Sequence, residues 1–551
     1  MKKRKLALRL AAALACALSA SAARAQSVSV FTGGLKAPTK VVMTSKGNFI
    51  VTESGDGPNA GRLSLVDRVT RARRTILDGL PAGPSAEGGI SGPSGLAVQG
   101  RTVYVAIGAG DAVQAGPAPG SEKANPSPSS PLLSSLLAVR VPANVEEMTS
   151  GFALTAADHA ALKGGARLTL SNASGDKLTV ELVADFPDYV AEPRPDFADN
   201  VRVSNPFGVA ANGNLLYVAD ASLNLIRVVG ADSGAYSTLT TFAQYTNPLP
   251  FGPPKIDAVP DSVRLFGDRL LVPTLTGFPF PAGVAQVKQV NLVTGEQSPL
   301  ITGLTTAIDL FPVRVPPAQS DSAPPLAARP ALKGLEAEQA AAAVDGARYF
   351  VLRFSDDMLQ NAPGRLLLLD SATAAPVTLA APLVGPTSVT RDPKSGDVFV
   401  TSIFAGLLYR VSFARELVRQ HYRDFLGREP DQSGWDFWAG EIEKCGTDPA
   451  CNERKSVDVS RAFFYSGEYM GAHPELNEQQ RGTAAYNREF VRQSYYAYLR
   501  RTCDPEVCDN AGFNFWVAKL NSRLPSTDGD YNEMIRAFLV SAEYRSRFGL
   551  Q

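Results

Sequence analysis

The stretch "NPFGVAANGNLLYVADAS", from Asn205 to Ser222, consists of two short apolar runs joined by a polar Asn-Gly-Asn turn. In each run apolar residues alternate with other residues between turn signals, a pattern typical of two antiparallel β-strands. Related stretches begin at Ala37 ("APTKVVMTSKGNFIVTESG"), Gly92, Val259 and Gly385. The chain therefore repeats one strand–turn–strand phrase along most of its length.

A second phrase follows the first in several places. "GRLSLVDRVTRARRTILDGL" begins at Gly61, and similar stretches begin at Ala285 and Gly364. It has the same alternation and predicts two further strands. Together the two phrases predict a four-stranded antiparallel sheet.

The spacing of the repeats decides the architecture. Val41 lies 55 residues before Leu96, and Val209 lies 54 residues before Val263. Such a period suits the blade of a β-propeller with modest insertions and does not suit a sandwich. The sequence therefore predicts an all-β six-bladed propeller over residues 27–412, with blades at 36–90, 92–190, 205–245, 259–304, 305–383 and 385–412.

The last predicted blade contains only its inner strands. The N-terminal stretch "SVSVFTGGL", residues 27–35, resembles sequences that end other blades, such as "TILDGL". We expect it to supply the missing outer strand, because a closed ring leaves no open sheet edge.

Three segments fit neither phrase. Residues 116–131 and 315–330 are rich in Pro, Ser and Ala and are expected to be mobile loops, whereas residues 143–165 read as a helical insertion in blade two. Loops on a rigid ring can act as recognition elements or can be solvent-exposed loops that bind no partner.

The opening pattern "GL-x-x-P … G-x-(F/I/V)-V-x-E-x-G" and the repeated "GP-x-G-(V/L)" carry a resemblance. Over residues 27–412 the chain resembles the exported propeller family named after the scytonemin-biosynthesis proteins ScyD and ScyE. The resemblance implies a propeller and, from the family's name alone, a role in secondary-metabolite maturation. It supplies no catalytic residues.

From Phe413 the pattern changes to a helical one. "LVRQHYRDFLGREPDQSGWDFW", from Leu417, aligns with "FVRQSYYAYLRRTCDPEVCDNAGFNFW", from Phe490, and "SRAFFYSGEYM" aligns with "IRAFLVSAEYR". Apolar residues at helical spacing fall on one face. The sequence predicts an all-α tandem repeat over 413–549, with copies at 413–470 and 486–549.

Five residues of the two copies are expected to form the core of this repeat. They are Trp435, Trp438, Trp516, Gly434 and Gly512. The pattern "Y-x-x-(F/L)-L-G-R-x-P-D-x-x-G-x-x-(F/Y)-W … F-x-x-S-x-E-(F/Y)" resembles the exported bacterial module catalogued as domain of unknown function 4214. That resemblance implies an interaction or assembly role and no reaction.

Four cysteines lie in the helical region: Cys445, Cys451, Cys503 and Cys508. An even set in an exported protein indicates disulfides. Of three possible connectivities, the local pairs Cys445–Cys451 and Cys503–Cys508 are preferred. Zinc is the competing ligand, but the C-x5-C and C-x4-C spacings suit it poorly.

The N-terminus predicts export. Residues 1–25 have a basic start, an apolar core and a small-x-small ending at "ARA", which together form a cleavable signal peptide. A lipoprotein signal ending at Cys16 is an alternative with a poor acylation sequence. No later stretch has the uninterrupted apolar length of a membrane span. We expect a periplasmic or secreted protein.

The mature chain is mildly acidic. The signal contains six basic and no acidic residues, so its removal leaves 48 basic against 54 acidic residues. This balance argues against a nucleic-acid partner held by bulk charge.

Few residues are suited to catalysis. The chain has three histidines, so a Ser-His-Asp hydrolase or a His-ligated metal centre has little material. Glu53, Asn205 and Asp220 at strand ends could hold calcium in the propeller channel, with Asp261 opening another blade. The competing interpretation is that they are ordinary turn formers. In the helical region, Asp431, Ser433 and Glu441 have the wrong spacing for a calcium loop.

The sequence therefore favours an exported, non-catalytic recognition or scaffold protein without a cofactor. Its propeller would bind a ligand, glycan or protein, and its helical module would mediate interaction. The alternative is a calcium-dependent lactonase-like or strictosidine-synthase-like hydrolase.

Overall fold

The computed structural model describes residues 28–86, 88–316, 346–501 and 510–550. Among them, residues 30–316, 346–413 and 542–550 form one compact unit, the propeller unit, and residues 414–541 form a second, the helical unit. The predicted signal peptide, most of the 315–330 segment, Cys503 and Cys508 lie outside the described residues. A six-bladed β-propeller and a helical region are present, which confirms the predicted fold class at that level.

The N-terminal strand and the first two blades contain most of the irregular features. The strands are β1 (Ser29–Thr32), then β2 (Pro38–Met43), β3 (Phe49–Glu53), β4 (Gly61–Val66) and β5 (Arg73–Leu80) of blade one, and the hairpin β6 (Gly83–Pro84) and β7 (Ile90–Ser91). Blade two and its insertions comprise β8 (Pro93–Gln99), β9 (Thr102–Ile107), β10 (Val113–Ala115), β11 (Glu122–Ala124), β12 (Ser135–Arg140), β13 (Phe152–Ala153), helix α1 (Ala156–Lys163), β14 (Leu168–Ser171) and β15 (Lys177–Asp185).

The remaining blades are more regular. A hairpin of β16 (Tyr189–Ala191) and β17 (Val201–Val203) precedes blade three, which contains β18 (Pro206–Asn212), β19 (Leu215–Asp220), β20 (Leu225–Gly230) and β21 (Tyr236–Thr241). The hairpin β22 (Tyr245–Thr246) and β23 (Lys255–Ile256) precedes blade four, with β24 (Arg264–Phe266), β25 (Arg269–Pro273), β26 (Ala285–Asn291) and β27 (Gln297–Leu304). Blade five contains β28 (Ala307–Arg314), β29 (Ala347–Arg353), a 3₁₀ turn (Met358–Gln360), β30 (Gly364–Leu369) and β31 (Val377–Leu383), and blade six contains β32 (Pro386–Arg391), β33 (Val398–Ser402) and β34 (Leu407–Val411).

Strand β1 is the outermost strand of blade six, in the order β1-β34-β33-β32. Its Phe31 is buried and packs edge-on against Phe49 of blade one and Phe399 of blade six. The first and last blades are thus joined by an apolar cluster as well as by backbone pairing. Burying such rings removes apolar surface from water, which stabilises the closed ring.

The insertion in blade two also extends blade one. Strand β13 pairs in parallel with β5, so blade one has five strands. Helix α1 buries His159, whose Nε2 lies 2.8 Å from the carbonyl oxygen of Gly79 and whose Nδ1 lies 3.1 Å from Oγ of Ser130. Burial lowers the pKa of His159, which indicates a neutral structural histidine.

The segment 116–131, expected to be a mobile loop, makes defined contacts. Strand β11 lies within it and pairs with β10, which ends just before it. Asp111 accepts hydrogen bonds from the backbone and hydroxyl of Ser129 at 2.9 and 2.8 Å, and its carbonyl accepts one from Asn125. These side-chain hydrogen bonds add to the short backbone ladder between the two strands.

The helical unit consists of paired helices. They are α2 (Ala414–Phe425), α3 (Gln432–Glu443), α4 (Pro449–Phe464), α5 (Gly467–Ala472), a 3₁₀ turn (Glu478–Gln480), α6 (Ala484–Leu499), α7 (Asn510–Asn521) and α8 (Asp528–Leu539), and α9 (Ala542–Ser546) belongs to the propeller unit. Cys445 and Cys451 form a disulfide with a Cα–Cα distance of 5.5 Å. Among the described helices, none is long and apolar enough to cross a bilayer.

The turn between α2 and α3 explains the Pro-Asp-x-x-Gly pattern. Asp431 is the N-cap of α3, and its side chain accepts a hydrogen bond from the backbone N–H of Gly434 at 2.8 Å. A Cβ on Gly434 would overlap the hydroxyl of Tyr422, so only glycine fits there. The turn between α2 and α3 therefore serves helix capping and packing.

The expected core residues differ in burial. Trp435 is buried and donates from Nε1 to the carbonyl oxygen of Arg415 at 2.8 Å. Trp438 and Trp516 are only partly buried. The reason is geometric: in α3 the buried stripe passes through Trp435, Ala439 and Ile442, and Trp438 lies at its margin.

Candidate functional site

Consecutive antiparallel strands place two classes of loop on the same face of the propeller. The loops between second and third strands, and those between one blade's fourth strand and the next blade's first, share one end of the sheets. We call this end the loop face. Hairpins β6–β7, β10–β11, β16–β17 and β22–β23 all lie in such connections.

The predicted calcium ligand Glu53 lies at the loop-face end of β3 and is fully buried. Its Oε1 accepts from Nε of Arg73 at 2.9 Å and from the hydroxyl of Ser64. Its Oε2 accepts from the backbone N–H of Lys36. The carboxylate therefore balances an arginine of its own blade and holds the preceding loop.

Asp220 has the same arrangement in blade three. One oxygen accepts from the hydroxyl of Ser204 at 2.6 Å and from Nη2 of Arg227 at 3.0 Å, and the other accepts from the backbone N–H groups of Asn205 and Leu223. The side chain of Asn205 accepts from the backbone of Ala109 at 3.1 Å. These residues brace loops within and between neighbouring blades.

The described residues contain no group of three or more His, Cys, Asp or Glu side chains that could hold a metal ion. Glu53 and Asp220 each face an arginine, which neutralises the charge a cation would need. The structure does not bring the three predicted ligands into such a group.

A different cluster occupies the propeller axis. The inner strands of blades one, three, five and six begin with a β-bulge, and the residues after it are Lys40, Gly208, Asp309 and Ser388. Gly95 and Ser262 occupy the matching positions of the other two blades in the sequence. Four polar side chains therefore converge where the inner strands meet, and all four are buried.

Asp309 is the centre of this axial cluster, which we define as Lys40, Ser262, Arg264, Asp309 and Ser388. Asp309 Oδ1 accepts from Oγ of Ser262 at 2.6 Å and from Nε of Arg264 at 3.0 Å. Its Oδ2 accepts from Nζ of Lys40 at 3.0 Å and from Oγ of Ser388 at 2.9 Å. Asp309 also accepts from the backbone N–H groups of Leu310 and Val389 and from Nη2 of Arg264.

Burial and the like charge of Arg264 lower the pKa of Lys40 to about 8. The pKa of Asp309 lies below its ordinary value, because Arg264 and Lys40 outweigh the opposing effect of burial. Two cations thus share one carboxylate. The cluster joins blades one, four, five and six and, apart from Arg264, whose side chain is 16% exposed, it is buried, so it is an internal brace.

Sequence reasoning missed this cluster, although a signal was present. Aligning "APTK", "GPSG", "NPFG", "VPDS", "TAID" and "GPTS" shows Lys, Gly, Gly, Ser, Asp and Ser at one position of six blades. A lysine and an aspartate at equivalent positions of a closed ring must approach each other across the axis.

The loop face also exposes aromatic and apolar side chains. Tyr189, Phe251, Phe278 and Phe404 lie in its loops, and Phe404 is 72% exposed. The opposite face exposes Val69, Val98, Leu215, Tyr236 and Val293, which are aliphatic apart from Tyr236. Large exposed apolar residues on one face mark interaction surfaces more often than scattered single residues do.

The densest part of the loop face lies at blade four. The ring centroids of Phe251 and Phe278 are 6.5 Å apart, and those of Phe278 and Phe280 are 6.2 Å apart. Phe251 lies in the β22–β23 hairpin, and Phe278 lies in the loop between β25 and β26. We call these three residues the phenylalanine crest.

A polar network adjoins the crest. Oδ1 of Asp257 accepts from Nδ2 of Asn224 at 2.8 Å and from Nε2 of Gln244 at 2.9 Å, and its Oδ2 lies 2.8 Å from Nη2 of Arg202. The carbonyl oxygen of Asp257 accepts from the N–H of Gly277, the residue before Phe278. Carboxylate, amide and guanidinium groups thus lie beside exposed rings.

The backbone under the crest is strained. Val259, Thr276 and Phe280 have φ values of 54°, 74° and 57°. Positive φ is costly for β-branched and bulky residues, and such conformations persist where the surroundings impose them. Within the described residues, the buried hydroxyl of Thr276 has no hydrogen-bond partner.

Comparison with known proteins adds the following. No family model and no curated protein matches the chain. Among solved structures, it is similar to a putative oxidoreductase (glucose dehydrogenase) from Thermus thermophilus, with 13% identity over 70% of this chain and 98% of that one at a TM-score of 0.33. It is also similar to streptogramin B lyase, with 12% identity over 70% and 96% of the two chains at a TM-score of 0.32.

A third match is a putative phosphatase from Bacteroides thetaiotaomicron, with 9% identity over 69% of this chain and 72% of that one at a TM-score of 0.36. At these scores the likenesses carry no argument about activity.

Proposed function

We propose that this is an exported, non-catalytic recognition protein whose propeller binds a neutral polysaccharide on its loop face. The observation that carries the proposal is the phenylalanine crest beside the Asp257 network. A sugar ring offers an apolar C–H face that packs on an aromatic ring, and hydroxyls that pair with carboxylate and amide groups.

Charge favours a neutral ligand over an anionic one. The mature chain predicted from the sequence has a net charge of −6, and the network beside the crest has a carboxylate at its centre. An acidic polysaccharide would meet repulsion from the net charge of the chain. The expected export would place the protein where such polymers occur.

The buried carboxylates support recognition over hydrolysis. Glu53 and Asp220 are each balanced by an arginine, and Asp309 is surrounded by donors. A hydrolase would need an accessible acid, base or metal that meets the substrate.

The helical unit is proposed to mediate interaction and to consist of two copies of one repeat. Helices α3 and α7 both have twelve residues, and their fourth residues, Trp435 and Phe513, are both buried. Their eleventh residues, Ile442 and Leu520, are buried as well. Equal length and equal burial support the alignment made from the sequence.

Affinity electrophoresis in gels containing neutral glucans, galactomannans or xylans tests the proposal. We expect retardation in at least one neutral polymer and none in alginate. Phe251→Ala and Phe278→Ala should each weaken retardation by about fivefold or more, as loss of an aromatic anchor does. Val293→Ala, an exposed residue of the opposite face, is the matched control. If the wild-type protein migrates without retardation in every neutral polymer, polysaccharide binding is refuted.

A further inference from the structure

The helical unit exposes one large aromatic residue on each of two corresponding helices. Phe437 is the sixth residue of α3 and is 59% exposed, and Phe515 is the sixth residue of α7 and is 55% exposed. Neither ring is needed for the core, because Trp435 and Phe513 fill the buried positions. Two exposed phenylalanines at matching positions require an explanation other than packing.

Each exposed ring is held by the tryptophan that follows it. The centroids of Phe437 and Trp438 are 4.9 Å apart at an interplanar angle of 78°, and those of Phe515 and Trp516 are 5.2 Å apart at 76°. Both tryptophans are partly buried. The two pairs therefore present nearly the same rigid, edge-to-face aromatic surface.

The charged residues within the two helices are opposite in sign. Helix α3 contains Asp436, Glu441 and Glu443 and no basic residue, whereas α7 contains Lys519 and no acidic residue. Glu441 and Lys519 lie four residues after the exposed phenylalanines, on the same helix faces. Nζ of Lys519 lies 5.6 Å from the centroid of Phe515.

We propose that the occupant of each aromatic surface is the other surface on a second copy of this chain. Surface A is Phe437, Trp438 and Glu441, and surface B is Phe515, Trp516 and Lys519. Aromatic residues of A pack on those of B, and Glu441 faces Lys519. The contact is heterologous, so association continues from copy to copy and forms chains or rings.

The opposite charges determine which surfaces pair, and they contribute less to the strength of the association. Glu441 also contacts Lys444, and Lys519 contacts Glu533 at 2.6 Å, so each charge has a neighbour in its own chain. A like-charged A–A or B–B contact is disfavoured, while A–B is favoured. This inference rests on the proposed interaction role of the helical unit.

Sedimentation velocity on the full chain tests the inference. We expect the weight-average mass of the wild type to rise with concentration and to fall at high salt. Phe437→Ser and Phe515→Ser should each weaken association by about tenfold or more. Val540→Ser, an exposed apolar residue elsewhere in the unit, should leave it unchanged.

Mixing the two variants gives the sharpest readout. Phe437→Ser retains surface B and Phe515→Ser retains surface A, so an equimolar mixture should form a one-to-one dimer that neither variant forms alone. Glu441→Lys or Lys519→Glu alone should weaken association, and the double exchange should restore it. A wild type that is monomeric at every concentration, or a mixture that stays monomeric, would overturn the proposal.

The polysaccharide proposal and this one fail separately. After correction for the mobility of a monomer in a gel without polysaccharide, Phe437→Ser should be retarded as strongly as the wild type. Phe278→Ala should sediment as the wild type does. Retardation lost in Phe437→Ser but retained in Phe278→Ala would contradict both assignments.

Discussion

Lys40 and Asp309 form an ion pair across the propeller axis, with Nζ 3.0 Å from Oδ2, between the inner strands of blades one and five. The two residues are 269 positions apart in the chain. Arg264 of blade four also contacts Asp309, so one carboxylate links three blades. Its removal would leave the buried Lys40 and the partly buried Arg264 without this carboxylate.

Asp309→Ala should therefore destabilise the propeller by about 3–5 kcal/mol, the cost of breaking a buried charge pair from one side. Urea unfolding followed by far-UV circular dichroism measures it. Tryptophan fluorescence does not, because Trp435, Trp438 and Trp516 are the chain's only tryptophans and all lie in the helical unit. Asp268→Ala is the control, since its side chain is 84% exposed. Equal urea midpoints for Asp309→Ala and Asp268→Ala would contradict a bracing role for Asp309.

The stability of the propeller should rise with pH between about 8 and 10.5. The pKa of Lys40 is lowered to about 8 in the folded chain, from an ordinary value of 10.5. In that interval the unfolded chain binds more protons, so raising the pH favours folding by up to about 3 kcal/mol. The free energy of unfolding of the wild type should gain this amount relative to Lys40→Met. Parallel pH profiles of the two proteins would refute the lowered pKa.

The alternation of apolar residues and the 54- to 55-residue period were enough to predict six blades, since both follow from the local geometry of strands. The axial cluster was harder to predict, because a polar residue at the start of a strand resembles a turn former. Only the closed ring shows that these residues meet at the axis. Glu53 and Asp220 were misassigned as ligands for a similar reason. Their arginine partners, Arg73 and Arg227, lie on other strands of the same blades, and the motifs alone do not show the pairing.

The sequence also did not show which aromatic residues of α3 are exposed. Trp435, Phe437 and Trp438 form one aromatic run in the sequence. Only the orientation of α3 assigns Trp435 to the core and Phe437 to the surface. Periodicity indicates which residues share a face and leaves open how wide the buried stripe is.

Trp435→Ala and Trp438→Ala should therefore differ in their cost. Trp435 is 4% exposed and loses both its packing and its hydrogen bond to Arg415, so we expect a loss of about 3–5 kcal/mol in the stability of the helical unit. Trp438 is at the margin and should cost about half as much or less. Urea unfolding followed by fluorescence of the remaining tryptophans compares them. A larger loss for Trp438→Ala would contradict the observed burial.

The Cys445–Cys451 disulfide should stabilise the helical unit by about 2 kcal/mol. It closes a loop with a sequence separation of 6, and loop-closure entropy for so short a loop gives this magnitude. Cys445→Ser with Cys451→Ser should lower the urea midpoint reported by tryptophan fluorescence. Hydrogen exchange of peptides from the inner strands of the propeller should not change. An unchanged fluorescence midpoint would indicate that the bond is dispensable for stability.

The last residues of the chain pack on the propeller unit with a close backbone approach. The carbonyl oxygen of Phe548 accepts from Nη1 of Arg391 at 2.9 Å, and its ring packs edge-on against Phe413. Gly549 follows with a φ of 67°, and a Cβ there would overlap Cγ1 of Val313.

Gly549→Ala should therefore release residues 542–551, whereas Gly283→Ala should not. Gly283 has a φ of 78° and open space around its Cβ position, so both substitutions incur the left-handed backbone penalty of about 1–2 kcal/mol. Only Gly549→Ala adds a steric clash with Val313. Hydrogen exchange of the C-terminal peptide should become markedly faster in Gly549→Ala and stay near the wild-type rate in Gly283→Ala. Equal protection of that peptide in the two variants would show that the close contact at Gly549 does not hold the chain end.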